Sequence, residues 1–149
     1  MYQNWFANLT VIAGTVIAVV VSILTHYEGL IALSKALETR VISRQRVKVL
    51  YAIGSLLFLH VVEIWIFGFA LWALLQWPEC GAIAALSPAF LDAVYFSAVT
   101  YSTVGYGDMV PVGAIRFLAG TESLVGLVLI TWSASFTFLE MQRFWRSQR

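Results

Sequence analysis

Three stretches of this 149-residue chain are too long and too poor in charge to be the core of a soluble domain. They run from about Leu9 to Thr25, from Val49 to Trp77 and from Gly113 to Glu140. A helix needs about 20 apolar residues to cross a hydrocarbon layer of ~30 Å. Backbone polar groups in that layer must be satisfied internally, which restricts spans to helices or closed barrels. Continuous apolar runs of this length are helical, so the chain reads as an all-α membrane protein with three transmembrane helices. Composition agrees: 11% of residues are charged, against about 25% in ordinary soluble domains. A net charge of +1 provides no field for nucleic acid. No nucleophile–base pair, phosphate loop or metal cluster suggests an enzyme. A cleavable leader is not expected, because the N-terminus lacks a positive region and a small-residue cleavage pattern.

The links between the spans set the topology. Trp5 and Phe6 sit where an interfacial aromatic belt would lie. The first span, about 17 residues, is near the short limit, and His26-Tyr27-Glu28 closes it at an interface. From Gly29 to Lys48, Lys35, Arg40, Arg44, Arg46 and Lys48 face a lone acid, Glu38. Leu30, Leu33, Leu37 and Val41 recur at helical spacing. This pattern predicts an interfacial amphipathic helix whose cations are available to anionic lipid. The alternative is a solvated connector. The basic residues place this side in the cytoplasm, which puts the N-terminus outside and, with Arg143, Arg146 and Arg149, the C-terminus inside.

Gly54 and Gly68 in the second span allow close helix packing. His60 and Glu63 lie one helical turn apart, and ionisable groups within a span are functional candidates by default. A metal would need further ligands, and none is evident nearby in sequence, so a hydrogen bond to each other or to another helix is expected. Trp77-Pro78-Glu79-Cys80-Gly81 breaks the helix on the outer side and begins a short loop. Cys80, the single cysteine, is either a free thiol or a partner for Cys80 of another copy.

Ser87 is a natural N-cap and Pro88 a natural first helical residue. The segment Ala89 to Tyr101 is too short to span but suits a re-entrant helix, with Asp92 favoured near its N-terminus by the dipole. The stretch Thr103-Val104-Gly105-Tyr106-Gly107-Asp108 follows. In the third span, about 42 Å long at 1.5 Å per residue, Gly120 and Gly126 are candidate hinges. Residues 131, 133, 135 and 137 carry hydroxyls that could line a lower pore.

Those six residues, with a short helix before them and a span after, resemble the selectivity filter of potassium channels. A bare glycine-rich turn between two helices is the plainer alternative. Residues 49–142 as a whole resemble the two-span pore domain of prokaryotic potassium channels: outer helix, pore helix, filter and inner helix. Residues 1–48 and the tail 143–149 lie outside the resemblance. It implies a homotetramer in a prokaryotic plasma membrane, passing K+ passively and selectively. It also implies K+ held by carbonyls of Thr103, Val104, Gly105 and Tyr106, with Gly107 completing the strand. Such a strand must alternate ordinary and positive φ, which Gly105 and Gly107 permit. Thr103 adds its hydroxyl innermost, Val104 and Tyr106 pack behind, and Asp108 gathers cations at the outer mouth. A weakly selective cation channel and a non-conducting regulatory subunit are the competing functions.

Two departures stand out. Some bacterial relatives place a glutamate four residues before the filter threonine, where this chain has Val99. Tryptophans that brace the filter in several relatives are replaced by Tyr95 and Phe96. Asp108 is therefore left unbraced, or held by Tyr95 or another group. Glu122, in a stretch resembling the inner helix of inward rectifiers, either lines the cavity or lies behind the filter on pore-helix hydroxyls such as Ser97, Thr100 or Ser102. In the second case burial would raise its pKa and couple conductance to pH.

Overall fold

The computed structural model describes residues 5–39, 45–84 and 89–146. The elements, in order, are α1 (Trp5–Thr39), α2 (Gln45–Leu75), β1 (Ala82–Ala84), α3 (Phe90–Tyr101), β2 (Val110–Val112) and α4 (Arg116–Arg146). Three helices are long and apolar enough to cross a membrane: Trp5–Glu38, Arg46–Leu75 and Arg116–Arg143, with mean hydropathies of 2.3, 2.0 and 1.6. The protein is an all-α bundle of three long helices enclosing a short fourth.

The first helix corrects the expectation of a short span followed by a surface helix. α1 is continuous for 35 residues, about 52 Å at 1.5 Å per residue. His26-Tyr27-Glu28 does not end it. His26 is fully buried within it, because its partner lies on α2 rather than at an interface. The leucine stripe expected to face lipid is a helix–helix seam: Leu30, Leu33 and Leu37 bury against Ala52 and Leu56 of α2. Gly29 lets the two helices close, since a Cβ there would come within 2.8 Å of the Leu59 methyls. Lys35 therefore lies on α1, and Arg46 and Lys48 lie in the first turn of α2. Val41, Arg40 and Arg44 fall outside the described residues.

α2 stops at Leu75, three residues before Pro78, which offers no N–H to continue the ladder. A 3-10 turn at Pro78–Cys80 then turns the chain. Cys80 is 2% exposed and belongs to the main core. Burial first, and Glu79 second, push its thiol above the ordinary cysteine value. Its sulfur is thus enclosed within the single chain.

The loop beyond carries a feature that the sequence does not announce. β1 pairs antiparallel with β2, placing Ala82 opposite Val112, Ile83 opposite Pro111 and Ala84 opposite Val110. Pro111 can hold the middle place because hydrogen-bonded and non-hydrogen-bonded pairs alternate in such a ladder. The Ile115 N–H donates to the Cys80 carbonyl at 2.9 Å and closes the base of the ribbon.

α3 packs between α2 and α4. It begins at Phe90 with Ala89 in the N-cap, later than the Ser87-Pro88 signal; those two residues lie outside the described ones. Asp92 is in its first turn, as expected. Its inner face (Ala93, Phe96, Tyr101) meets Phe67 and Leu71 of α2, Ile115 just before α4, and Leu118 and Ala119 of α4. Gly68 makes this contact possible, since a Cβ there would sit 2.9 Å from the Val94 Cα. Gly54, by contrast, has open space beside it, so it packs on nothing in its own chain. α4 begins at Arg116, slightly later than expected, and runs without a break through Gly120 and Gly126.

Candidate functional site

The short helix α3 delivers the chain to Thr103 with two backbone bonds. The Thr103 N–H donates to the Thr100 carbonyl at 3.0 Å, and the Gly105 N–H reaches back to the Val99 carbonyl at 3.1 Å. From there φ changes sign at every residue: Thr103, Gly105 and Gly107 have φ of 60°, 51° and 79°, while the residues between do not. That alternation turns successive carbonyls toward one side, the arrangement that a row of oxygen ligands requires. Two of the three positions are the expected glycines. The third, Thr103, is the one non-glycine with positive φ among the described residues. A β-branched residue there is a conformational outlier, and such strain concentrates at functional sites.

Every residue from Ser102 to Asp108 is exposed in the single chain. Val104 and Tyr106 are 55% and 72% exposed. The expectation that they pack behind a filter is therefore not met within one copy, because no side chain among the described residues covers them. An open recess of about 370 Å³ lies beside them, lined by Phe96, Val99, Thr100, Gly105 and Tyr106 among others.

The supports of this strand are specific. The Tyr95 hydroxyl donates to Asp108 Oδ2 at 2.9 Å, so Tyr95 supplies the brace for which the sequence left several candidates. That bond, with smaller contributions from burial and the Asp108 charge, raises the Tyr95 phenol above its ordinary value. The Thr100 carbonyl, which receives the Thr103 N–H, also accepts the Ser123 hydroxyl of α4 at 3.1 Å. Glu122 is fully buried and lies against the Ser97 hydroxyl of α3. Ser97 Oγ meets both its Oε1 and, at 2.8 Å, the Ile64 carbonyl of α2. A hydroxyl has one proton and can donate to only one of them. A neutral Glu122 that donates to Ser97, which in turn donates to Ile64, satisfies the chain. Oε2 has no partner among the described residues, and burying it as part of an anion would be costly.

Gly126 has a packing role. A Cβ on it would run into the carbonyl and ring of Tyr101, whereas one on Gly120 would meet open space. Of the lower hydroxyls, those of Thr131, Ser135 and Thr137 bond back to carbonyls of their own helix, and Ser133 is buried.

Around Tyr101, the last residue of α3, lies a buried cluster that includes the His60–Glu63 pair. His60 Nδ1 is 2.9 Å from Glu63 Oε2, as its spacing suggests. His26 of α1 adds its Nδ1 at 2.7 Å from Glu63 Oε1, and the Tyr101 hydroxyl donates to the same carboxylate. Three helices thus meet on one buried acid. His26 and Tyr101 carried no local signal, because their partner is 37 or 38 residues away.

The family model described as ion channel matches residues 49–143. Among curated proteins, the inward rectifier potassium channel Kirbac3.1 of Paramagnetospirillum magnetotacticum is 32% identical over 72 residues, covering 46% of this chain and 24% of that protein. Two-pore potassium channel 4 of Arabidopsis thaliana is 45% identical over 47 residues, 32% of this chain and 14% of that protein. Protein LctB of Bacillus caldotenax is 45% identical over 38 residues, 26% and 28% of the two chains. The matched segments therefore span less than a third of each relative's length. No solved structure matches this chain.

Proposed function

Because this chain belongs to the ion-channel family by the match over residues 49–143, we propose that it forms a potassium-selective channel that conducts passively. The observation that carries the reading is the backbone from Thr103 to Gly107, with φ positive at alternate residues and every residue uncovered. Carbonyls presented in a row substitute for the hydration shell of a cation. One strand offers one side of such a cage, and irregular backbone at membrane depth is tolerated only when buried in protein or lining water. Four copies around one axis supply both. Residues 49–142 then act as the pore domain, and Asp108 holds charge at the outer entrance. Two of its relatives are named as potassium channels, which supports the choice of ion. The basic residues near the α1–α2 turn favour a cytoplasmic position for that turn and for the C-terminus. They also remain candidates for anionic lipid.

The test is a planar-bilayer recording of purified protein under opposed potassium and sodium gradients. A reversal potential near the potassium equilibrium value is expected. A value near zero would overturn selectivity and leave a general cation pore. The same recording on Gly105→Ala, which forces a side chain into positive φ, is expected to show loss of selectivity or of current.

A further inference from the structure

The sequence contains two histidines, and both converge on one buried carboxylate. The donor atoms of His26, His60 and Glu63 all lie within 4.8 Å of one another. The Tyr101 hydroxyl, 3.0 Å from His60 Nδ1, stands at a fourth corner. We infer that His26, His60 and Glu63 form a site for a divalent transition-metal ion of the zinc class, with the Tyr101 oxygen as its fourth ligand.

Two imidazoles and a carboxylate are a donor set that zinc uses, with bonds of about 2.0–2.2 Å. A tetrahedron of such bonds holds neighbouring donors roughly 3.3 Å apart. Here His26 Nδ1 and His60 Nδ1 stand 2.7 and 2.9 Å from separate oxygens of Glu63, and the Tyr101 hydroxyl is 3.0 Å from His60 Nδ1 and closer still to Glu63 Oε2, so the donors must move apart to admit an ion. The enclosure suits one: the side chains of His26 and Glu63 are fully buried, and that of His60 is 14% exposed and provides the way in. A charge at this depth requires compensation, which Glu63 supplies directly.

The tautomers point the same way. When both Nδ1 atoms donate to Glu63, His26 Nε2 is a bare acceptor, buried with no partner among the described residues. An ion on Nδ1 moves the His26 proton to Nε2. The indole ring of Trp132 lies 5.2 Å from the imidazole, centroid to centroid. The ligands come from α1, α2 and the last residue of α3, so an ion would tie the first span to the helix that ends two residues before Thr103.

The test uses the full chain without a histidine tag, stripped by chelator and titrated with Co2+, then Zn2+. The expected result is the intense visible absorption of tetrahedral Co2+, saturating at about one ion per chain and displaced by Zn2+. His60→Gln leaves the buried His26–Glu63 pair in place and is expected to weaken binding by at least about tenfold. Glu79→Gln, beside the single cysteine, is expected to leave binding unchanged. Zn2+ should raise the unfolding temperature of the unmodified chain and not of His60→Gln. The absence of a saturable Co2+ signal, or a signal of equal affinity in His60→Gln, would overturn the assignment and leave a hydrogen-bonded network only.

Discussion

One hydroxyl, that of Tyr95, decides whether Asp108 is held. Its hydrogen bond to Asp108 raises the phenol, so the folded protein keeps that proton more tightly than the unfolded chain does. The stabilisation from this bond is therefore complete below the ordinary tyrosine value of about 10 and is lost as pH rises through the higher folded value. Current through the unmodified protein should be steady from about pH 6 to about pH 9 and decline beyond about pH 10. Tyr95→Phe should show a several-fold faster decline of current at neutral pH, with no further tyrosine-linked step above about pH 10. Current decay in bilayers across this range checks both. Gly105 and Gly107 were legible because the motif is contiguous in sequence, whereas Tyr95 was one of the alternatives left open for Asp108 until the structure set its hydroxyl on that carboxylate. The positive φ at Thr103 was not legible, since nothing in a threonine announces it.

At the scale of elements, α3 and α4 touch through Gly126, where backbone meets backbone. Gly126→Ala must push the Tyr101 carbonyl aside, and overpacking of this kind costs about 1–3 kcal/mol. Gly120→Ala, facing open space, should be neutral or slightly stabilising. Thermal unfolding of the two variants in detergent separates a packing glycine from a bending one. Hydropathy made the three long helices and the short one legible. The course of α1 was not. His26-Tyr27-Glu28 looks like an interface until the Glu63 carboxylate is seen opposite His26. Leu30, Leu33 and Leu37 form the same stripe whether they face lipid or α2. Periodicity reports that a face is apolar and does not report what covers it. Ala-Ile-Ala and Val-Pro-Val are too short to show any period at all.

At the scale of the whole molecule, Val104 and Tyr106 stand uncovered in the single chain beside an open recess, where the proposed assembly would place neighbouring copies. Native mass spectrometry in detergent is expected to report four copies. A stable monomer would show that something other than this chain covers the strand. The metal-ion ligands on α1 and α2 lie within one copy, so their occupancy should not change the number of copies counted.

The two-stranded ribbon has its own bearing on the segment that it closes. Ala84 and Val110 face each other across it, so the intervening segment leaves and returns at a single point. At its base the separation of α2 and α4 is held by the ribbon and by the Ile115–Cys80 bond. Inside it, α3 is fixed to both helices, through Ser97 and Tyr101 to α2 and through the Thr100 carbonyl to α4. The segment from residue 82 to residue 112 is thus clamped twice, once at its mouth and once along its helix, and the exposed stretch from Ser102 to Asp108 is the part of it that neither clamp covers.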